Sequence, residues 1–326
     1  MQEKGNEGFL NQKNKIRLLI SNMPSHQIDI IPSHQINKTK WDDCIDRSTN
    51  NLIYAHSFYL DQLADNWNGI VVDDYDCVMP VPWRKKFGIR YCYDVPFIQQ
   101  LGYFNTKNID HKILVDAFFD FIKYGHYNFN YSNNAFADMP NVKTTTNFII
   151  DLIDKETVNN NFSKSFTQSL HNASGFDLSY AIATPAEAIE MYRDLYSNGI
   201  KNVSSGDYKN LITLTEILSP QNKCVARKII NKDGQTLSIV LLLKDKRRLY
   251  NIINATNSEG RKNEANYFLY AQIFNEFSGE GLLFDLEGSE LPGVKKFYKK
   301  LGAIDQPYSR MKINNLPFPI KLMKPG

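Results

Sequence analysis

Residues 224–256, CVARKIINKDGQTLSIVLLLKDKRRLYNIINAT, narrow the fold more than any other stretch. Three apolar, β-branched runs are separated first by Asp233-Gly234, at a hairpin position, and then by the charged KDKRR, so they read as consecutive strands of one sheet. The next segment, NEANYFLYAQIFNEFSG, places Ala265, Phe268, Leu269, Ile273 and Phe277 on one helical face, and GLLFDLEGS after it reads as another strand. Sequential strands, then a helix and a strand, call for antiparallel sheets flanked by helices, an α+β plan.

The first half shows the same order. In WDDCIDRSTNNLIYAHSFYLDQLADNW, from Trp41, the apolar Ile45, Leu52, Ile53 and Leu60 fit helices broken near Ser48–Asn51. GIVVDDYDCVMPVPW and GIRYCYDVPFIQQLGYF then read as a hairpin or two neighbouring strands separated by RKKFG. HKILVDAFFDFIKYG keeps helical spacing through Ile113, Leu114, Ala117, Phe118, Phe121 and Ile122 and is expected to stop at Gly125, with HYNFNYS as the strand beyond. Aligning DAFFDFIKYGHYNFNYS with LYAQIFNEFSGEGLLFDLEGS matches helix, glycine break and strand, an internal structural repeat. At 326 residues the chain also exceeds the roughly 250–300 at which single cores stop growing. The expected division is a polar lead-in over 1–40, a first domain over 41–150 and a second over 151–326, with 147–175 as connector and a helix opened by Thr184-Pro185 and Glu187 beyond it.

The lead-in holds PSHQI twice, and its His26 and His34, without acidic or cysteine company, point to an extended segment or edge strand rather than a metal site. Met23 is a second candidate start. The cysteines, Cys44, Cys77, Cys92 and Cys224, form no CxxC pair, so neither zinc nor a disulfide scaffold is signalled and a reducing cytoplasm fits. IRLLI at 16–20 is too short for a signal-peptide core, and no apolar run reaches the roughly 20 residues of a membrane span. A formal charge of +3, from 38 basic and 35 acidic residues, is too small for a protein whose main work is neutralising nucleic-acid phosphates.

In RLYNIINATNSEGRKNEANYFLYAQIFNEF, FDLEGS, FYKKLGA and the closing PYSRMKINNLP, with NFIIDL and YKNLITL upstream, the chain resembles the GNAT superfamily of N-acyltransferases in its double-domain, Fem-type branch. The resemblance spans nearly everything from Trp41 and rests on order and spacing. It implies two tandem GNAT-like domains, transfer of an acyl group to an amine, acetyl-CoA or another acyl-CoA as co-substrate, and no metal. The second domain would bind the donor. The first, with no glycine in FNTKNIDHKILV, would be scaffold or acceptor side.

The donor candidate is NSEGRKNEA, with Asn257, Ser258, Gly260, Arg261, Lys262 and Asn263: Gly260 permits positive φ, Arg261 and Lys262 add charge, and free N–H groups at a helix start suit a pyrophosphate. Against the GNAT pattern Gln/Arg-x-x-Gly-x-Gly/Ala, Asn257 and Gly260 stand at matching positions, whereas Lys262 replaces the last small residue; a polar turn that merely starts a helix fits equally. In the closing helix Val294, Phe297, Tyr298 and Leu301 form one face and Lys295, Lys296, Lys299 and Lys300 a solvated one. Tyr298, four residues before Gly302, matches the GNAT tyrosine that protonates the departing thiolate, although packing alone would also place an aromatic there. The usual Asn-x-x-Ala lead-in is replaced by Leu291 and Val294.

Asp285 and Glu287 alternate along FDLEGS and are expected on one side of the sheet, where one carboxyl could be raised to act as a base; pairing with the nearby lysines is the alternative. Ser289 could donate at the turn, and Tyr308 of PYSRMKINNLP is counted with the substrate-binding residues. Trp83, Arg84, Lys85 and Arg90 could hold an anionic or aromatic acceptor, or simply protect a sheet edge. Three functions follow: acyl-CoA-dependent acylation of a small-molecule, peptide or cell-wall-precursor amine; Fem-like aminoacyl transfer from aminoacyl-tRNA to a peptidoglycan precursor; or binding without chemistry. The small net charge and the absence of a long heptad insertion weigh against the second, and the altered turn and lead-in speak for the third.

Overall fold

The computed structural model describes residues 26–137, 139, 141–199 and 202–323, so the alternative start at Met23 lies outside the described residues. The chain begins with β1 (Ile28–Pro32), α1 (Lys38–Arg47), α2 (Ser57–Leu63), β2 (Trp67–Val72), β3 (Cys77–Pro82), β4 (Arg84–Lys86), β5 (Ile89–Cys92), β6 (Phe104–Asn105), α3 (His111–Phe121), β7 (Tyr124–Asn128) and β8 (Val142–Thr145). It continues with β9 (Phe148–Asp151), α4 (Lys155–Asn160), α5 (Lys164–Ala173), β10 (Ser179–Ile182), α6 (Pro185–Tyr196), α7 (Ser205–Leu218), β11 (Cys224–Ile230), β12 (Thr236–Lys244) and β13 (Arg248–Thr256). It closes with α8 (Ser258–Lys262), α9 (Ala265–Phe277), β14 (Leu283–Asp285), α10 (Pro292–Lys300), β15 (Ile304–Asp305), β16 (Tyr308–Asn314) and α11 (Ile320–Met323).

β11, β12 and β13 form the expected antiparallel meander inside a seven-stranded sheet ordered β10-β11-β12-β13-β14-β9-β15. β12 explains why this sheet lies between two cores. Its side chains alternate: Ile239, Leu241 and Leu243 enter the core shared with the first half, while Val240 and Leu242 enter the core under α9. Ala188 and Ile189 of α6 and Leu211 and Leu214 of α7 cover the first face. Ala265, Leu269, Ile273 and Phe277 of α9 cover the second. α6 starts where sequence placed it, with the Thr184 side chain and Glu187 forming a reciprocal capping box and Pro185 in the first turn.

The internal repeat is a parallel strand pair with a helix between, made twice. β5 pairs with β7 (Tyr91↔Tyr124, Cys92↔Gly125) with α3 between them, and β13 pairs with β14 (Arg248↔Leu283 to Tyr250↔Asp285) with α9 between them. Each unit is completed by the other. β9, directly after β8, inserts between β14 and β15; β16, directly after β15, inserts between β7 and β8 in a five-stranded sheet β4-β5-β7-β16-β8. Residue 150 therefore falls inside a strand whose partners belong to the later part of the chain.

Of three local expectations, the edge strand in the lead-in is met and two change. β1 is the edge strand of a four-stranded sheet β1-β2-β3-β6, so part of the 1–40 lead-in is folded, with His26 Nδ1 2.7 Å from Asp73 Oδ2. α3 ends at Phe121, and Gly125 lies inside β7, where a Cβ would meet the Cys92 carbonyl at 2.0 Å. RKKFG is no simple separator: Arg84–Lys86 is itself a strand, paired with β5, because Phe87 and Gly88 alone make the turn.

β16 carries Met311 and Ile313, 1% and 2% exposed, into the first-half core. Met311→Ala is expected to lower unfolding free energy by about 2–5 kcal/mol, and removing 306–326 to abolish the cooperative transition followed by circular dichroism.

Candidate functional site

β13 and β14 run side by side for three residue pairs and then separate: β13 continues to Thr256, while β14 ends at Asp285. Beyond Tyr250, β13 has no strand on that side, and opposite Leu241 and Leu242 its register shifts, so that Ile252 bulges. The backbone from Asn251 to Ala255 thus borders a gap in the ladder, where β13 has no strand partner on that side.

A buried ion pair marks the point of separation. Arg248 Nη1 lies 2.8 Å from Asp285 Oδ2, and the two side chains are 3% and 1% exposed. Asn147 Nδ2 donates to Asp285 Oδ1 at 3.0 Å, Arg248 Nη1 donates to Gln306 Oε1 at 2.9 Å, and the guanidinium lies 4.7 Å from the Tyr131 ring centroid. Such a pair is held by its extra hydrogen bonds, which offset the desolvation of both charges.

The strand expected through FDLEGS stops here, which corrects the idea that Asp285 and Glu287 alternate along it. Glu287 and Gly288 both have positive φ, 64° and 55°. Gly288 is required, because a Cβ would sit 2.3 Å from the Thr146 carbonyl oxygen. The turn is tied at the Glu287 N–H, which donates to Asp285 Oδ1 at 3.1 Å, and at its carbonyl, which accepts from Gln99 Nε2. Tyr54, fully buried in the first half, donates its hydroxyl to the Glu287 carboxyl. No lysine pairs with either acid among the described residues. Desolvation raises the Glu287 pKa from its ordinary 4.5 to about 8, so burial rather than the Asp285 charge is the cause.

The charge of Glu287 acts on both Tyr298 and Tyr308. Tyr298, 8% exposed on α10, packs edge-on against Phe148 at 5.7 Å, and its hydroxyl has no hydrogen-bond partner among the described residues. Burial pushes its phenol well up, and the charges of Glu287 and Asp285 add to that. Tyr308, at the start of β16, is raised by burial too, with Arg310 opposing and Glu287 and Asp94 reinforcing. Ser289 Oγ accepts from Leu291 N at 3.1 Å, so the serine shapes the turn before α10.

Trp83, Arg84 and Arg90 stand elsewhere, on and before the β4–β5 hairpin. Trp83 Nε1 donates to Asn68 Oδ1 at 2.7 Å, Arg84 pairs with Asp65 and lies 3.9 Å from the Tyr93 ring centroid, and Arg90 lies 4.2 Å from that of Phe121. Arg84 does border a polar cavity of about 650 Å³ with Tyr93, Asp94, His126 and Asp207. Asp94 links that cavity to Tyr308 through Arg310, which it pairs at 2.7 Å.

The turn NSEGRKNEA folds as α8, capped by Asn257, whose Oδ1 accepts from Gly260 N at 2.7 Å. Three further donors are engaged: Asn257 N with the Leu237 carbonyl at 3.0 Å, Arg261 N with that of Asn257 at 3.0 Å, and Asn263 N with that of Glu259 at 2.9 Å. Gly260 does not have the positive φ expected of it; it allows close packing, since a Cβ would lie 2.3 Å from the Leu237 carbonyl oxygen. Arg261 folds back onto the Thr256 carbonyl, and Lys262 is exposed. Glu264 precedes α9 in a left-handed conformation, φ 55°, without a capping bond. The Gly260 N–H and the Arg261 guanidinium, two groups expected to meet a pyrophosphate, are thus engaged within the protein.

Tyr54, Gln99, Asn147, Tyr131 and Arg248 were not foreseen as site residues. The first four are far from FDLEGS in sequence, and Arg248 was hidden in a charged run that reads as a surface turn. Among the described residues no group of three or more His, Cys, Asp or Glu side chains is placed to hold a metal ion, and no helix is long and apolar enough to cross a membrane.

Two substitutions probe the geometry. Arg248→Met is expected to cost about 3–5 kcal/mol by leaving Asp285 buried without its cation, measured by denaturant unfolding. Glu287 binds a proton in the folded state between about pH 4.5 and 8 that the unfolded chain has released, so native stability falls across that window as pH rises. Glu287→Gln removes this slope, and its melting temperature should exceed that of the native chain most clearly near pH 8 to 9.

No family model and no curated protein matches the sequence. Solved structures do match. FemX superposes with a TM-score of 0.63 at 11% identity, covering 89% of this chain and 98% of that one. The C-terminal domain of a putative lysylphosphatidylglycerol synthetase from Agrobacterium fabrum gives 0.52 at 9% identity, over 86% and 95%. L-PGS from Bacillus licheniformis gives 0.50 at 10% identity, over 88% and 95%. Two helix-flanked, mostly antiparallel halves, each built on a parallel pair and completed by its neighbour, thus make up the double-domain GNAT-like fold.

Proposed function

We propose that the chain transfers an aminoacyl group from an ester donor of the aminoacyl-tRNA kind to an amine, such as that of a peptide or cell-wall precursor. The observation that carries this reading is the Glu287 carboxyl, raised to about 8 under Tyr54 where β13 and β14 separate, with Tyr298 and Tyr308 in its field. An acceptor ammonium must lose a proton before it can attack; Glu287, once ionised, takes it. The amine nitrogen then bonds to the donor carbonyl carbon, the ester C–O bond breaks, the departing ribose oxygen takes a proton from Tyr298, and the newly bonded nitrogen gives up its extra proton to restore the phenol. The polar cavity beside Asp94 is the acceptor route in this reading, and the charges of Asp94 and Glu287 both act on Tyr308.

Two features favour an ester over a coenzyme A thioester. A phenol pushed well above its ordinary 10 is a poor match for a thiolate, whose conjugate acid lies near 8.5, but suits the far more basic sugar alkoxide. In the α8 turn the Gly260 N–H is taken by the Asn257 cap and the Arg261 side chain by the Thr256 carbonyl, so two of the groups that would hold a diphosphate are engaged within the protein. The likeness in fold to a lysylphosphatidylglycerol synthetase domain supports an aminoacyl reaction.

The test is transfer from mixed aminoacyl-tRNA to a panel of amines, alongside thermal shifts with acetyl-CoA, longer acyl-CoAs and CoA. Amide product without a CoA shift is expected. kcat/KM should rise with pH toward about 8, and Glu287→Gln should lower it about 10²-fold and flatten the profile. Tyr298→Phe should lower kcat with little change in donor affinity. A CoA-dependent shift with acyl-CoA turnover would sink the ester donor; no turnover with either donor, or a fully active Glu287→Gln, would sink the mechanism and favour binding without chemistry.

A further inference from the structure

The β4–β5 hairpin turns at Phe87 and Gly88, both at positive φ, 50° and 80°. Asparagine and glycine are the ordinary residues of such a turn, and a phenyl side chain there occupies a backbone conformation unfavourable to bulky residues. Packing does not offset this, since Phe87 is 91% exposed. The segment after β16 adds Phe318 and Ile320, 80% and 40% exposed. Lys86, Phe87, Ile89, Tyr91, Leu316 and Ile320 line one cavity of about 240 Å³, so the hairpin tip and this segment form a single apolar surface.

Its charge is one-signed. Residues 83–93 contain Arg84, Lys85, Lys86 and Arg90, residues 306–323 contain Arg310, Lys312 and Lys321, and neither stretch contains an acid. Arg84 and Arg310 are committed to Asp65 and Asp94. Lys85, Lys86 and Lys321 are exposed and have no acidic partner among the described residues.

We propose that the Phe87 tip and residues 316–321 form a docking surface for an anionic lipid bilayer. Protruding phenyl rings enter the headgroup boundary, while the free lysines around them face the negative surface potential. The inference rests on this patch alone and is independent of the reaction proposed above.

The test is flotation of the full chain with vesicles of phosphatidylcholine, alone or mixed with phosphatidylglycerol. Binding to the mixed vesicles only is expected, weakening as salt rises. Phe87→Asn suits the turn, so it should fold without loss of melting temperature and yet bind roughly tenfold or more weakly. Lys85→Ala and Lys86→Ala should each cost about fivefold. No vesicle binding, equal binding to neutral vesicles, or full binding by a folded Phe87→Asn chain would overturn the proposal. Concentration-dependent self-association abolished by Phe87→Asn, without vesicle binding, would assign the surface to a second copy instead.

Discussion

Five parts of the chain meet around one buried cation and anion. Arg248 belongs to β13 and Asp285 to β14, while Asn147 precedes β9, Gln306 follows β15, and Tyr131 comes from the first half. Neither charge is tolerable in that interior without the other and without its hydrogen bonds, so each segment is fixed relative to the rest to within hydrogen-bonding distance. The ion pair also sets where the parallel strands stop being parallel. Asp285 accepts the Glu287 N–H, and that bond turns the chain out of the sheet and toward Tyr54.

Two carboxyls two residues apart therefore have opposite environments. Asp285 is surrounded by donors and a guanidinium; Glu287 has a tyrosine hydroxyl and otherwise loses water without a cation. A carboxyl raised toward neutrality by burial is a general route to a group that can both take and hold a proton. Here a left-handed turn two residues long produces it.

Much of the scaffold was legible in local patterns. The meander shows in its turns, α9 in its apolar face and α6 in Thr184-Pro185 with Glu187, because hairpins, amphipathic helices and caps are set by neighbouring residues. The acidic candidates, Tyr298 and Tyr308 were also visible, and the Glu287 charge acts on both tyrosines. What escaped depends on long-range packing. Nothing near FDLEGS says that Glu287 is left-handed; Gly288 is the one hint, and its reason is the distant Thr146 carbonyl. Gly260 misled for the complementary reason, being needed for contact with Leu237 rather than for its φ. A short apolar run reads as a strand without naming its sheet, so the exchange of β9 and β16 left no mark in periodicity.

That exchange bears on how the protein is made. β7 and β8 emerge from the ribosome without the strand that lies between them, since residues 308–314 are synthesised only after the whole stretch from β9 to β15. With synthesis at about 5–20 residues per second, the open edges wait for roughly ten seconds or more. The first half cannot finish folding until β16 has been made, and a chaperone that shields sheet edges would find its substrate there.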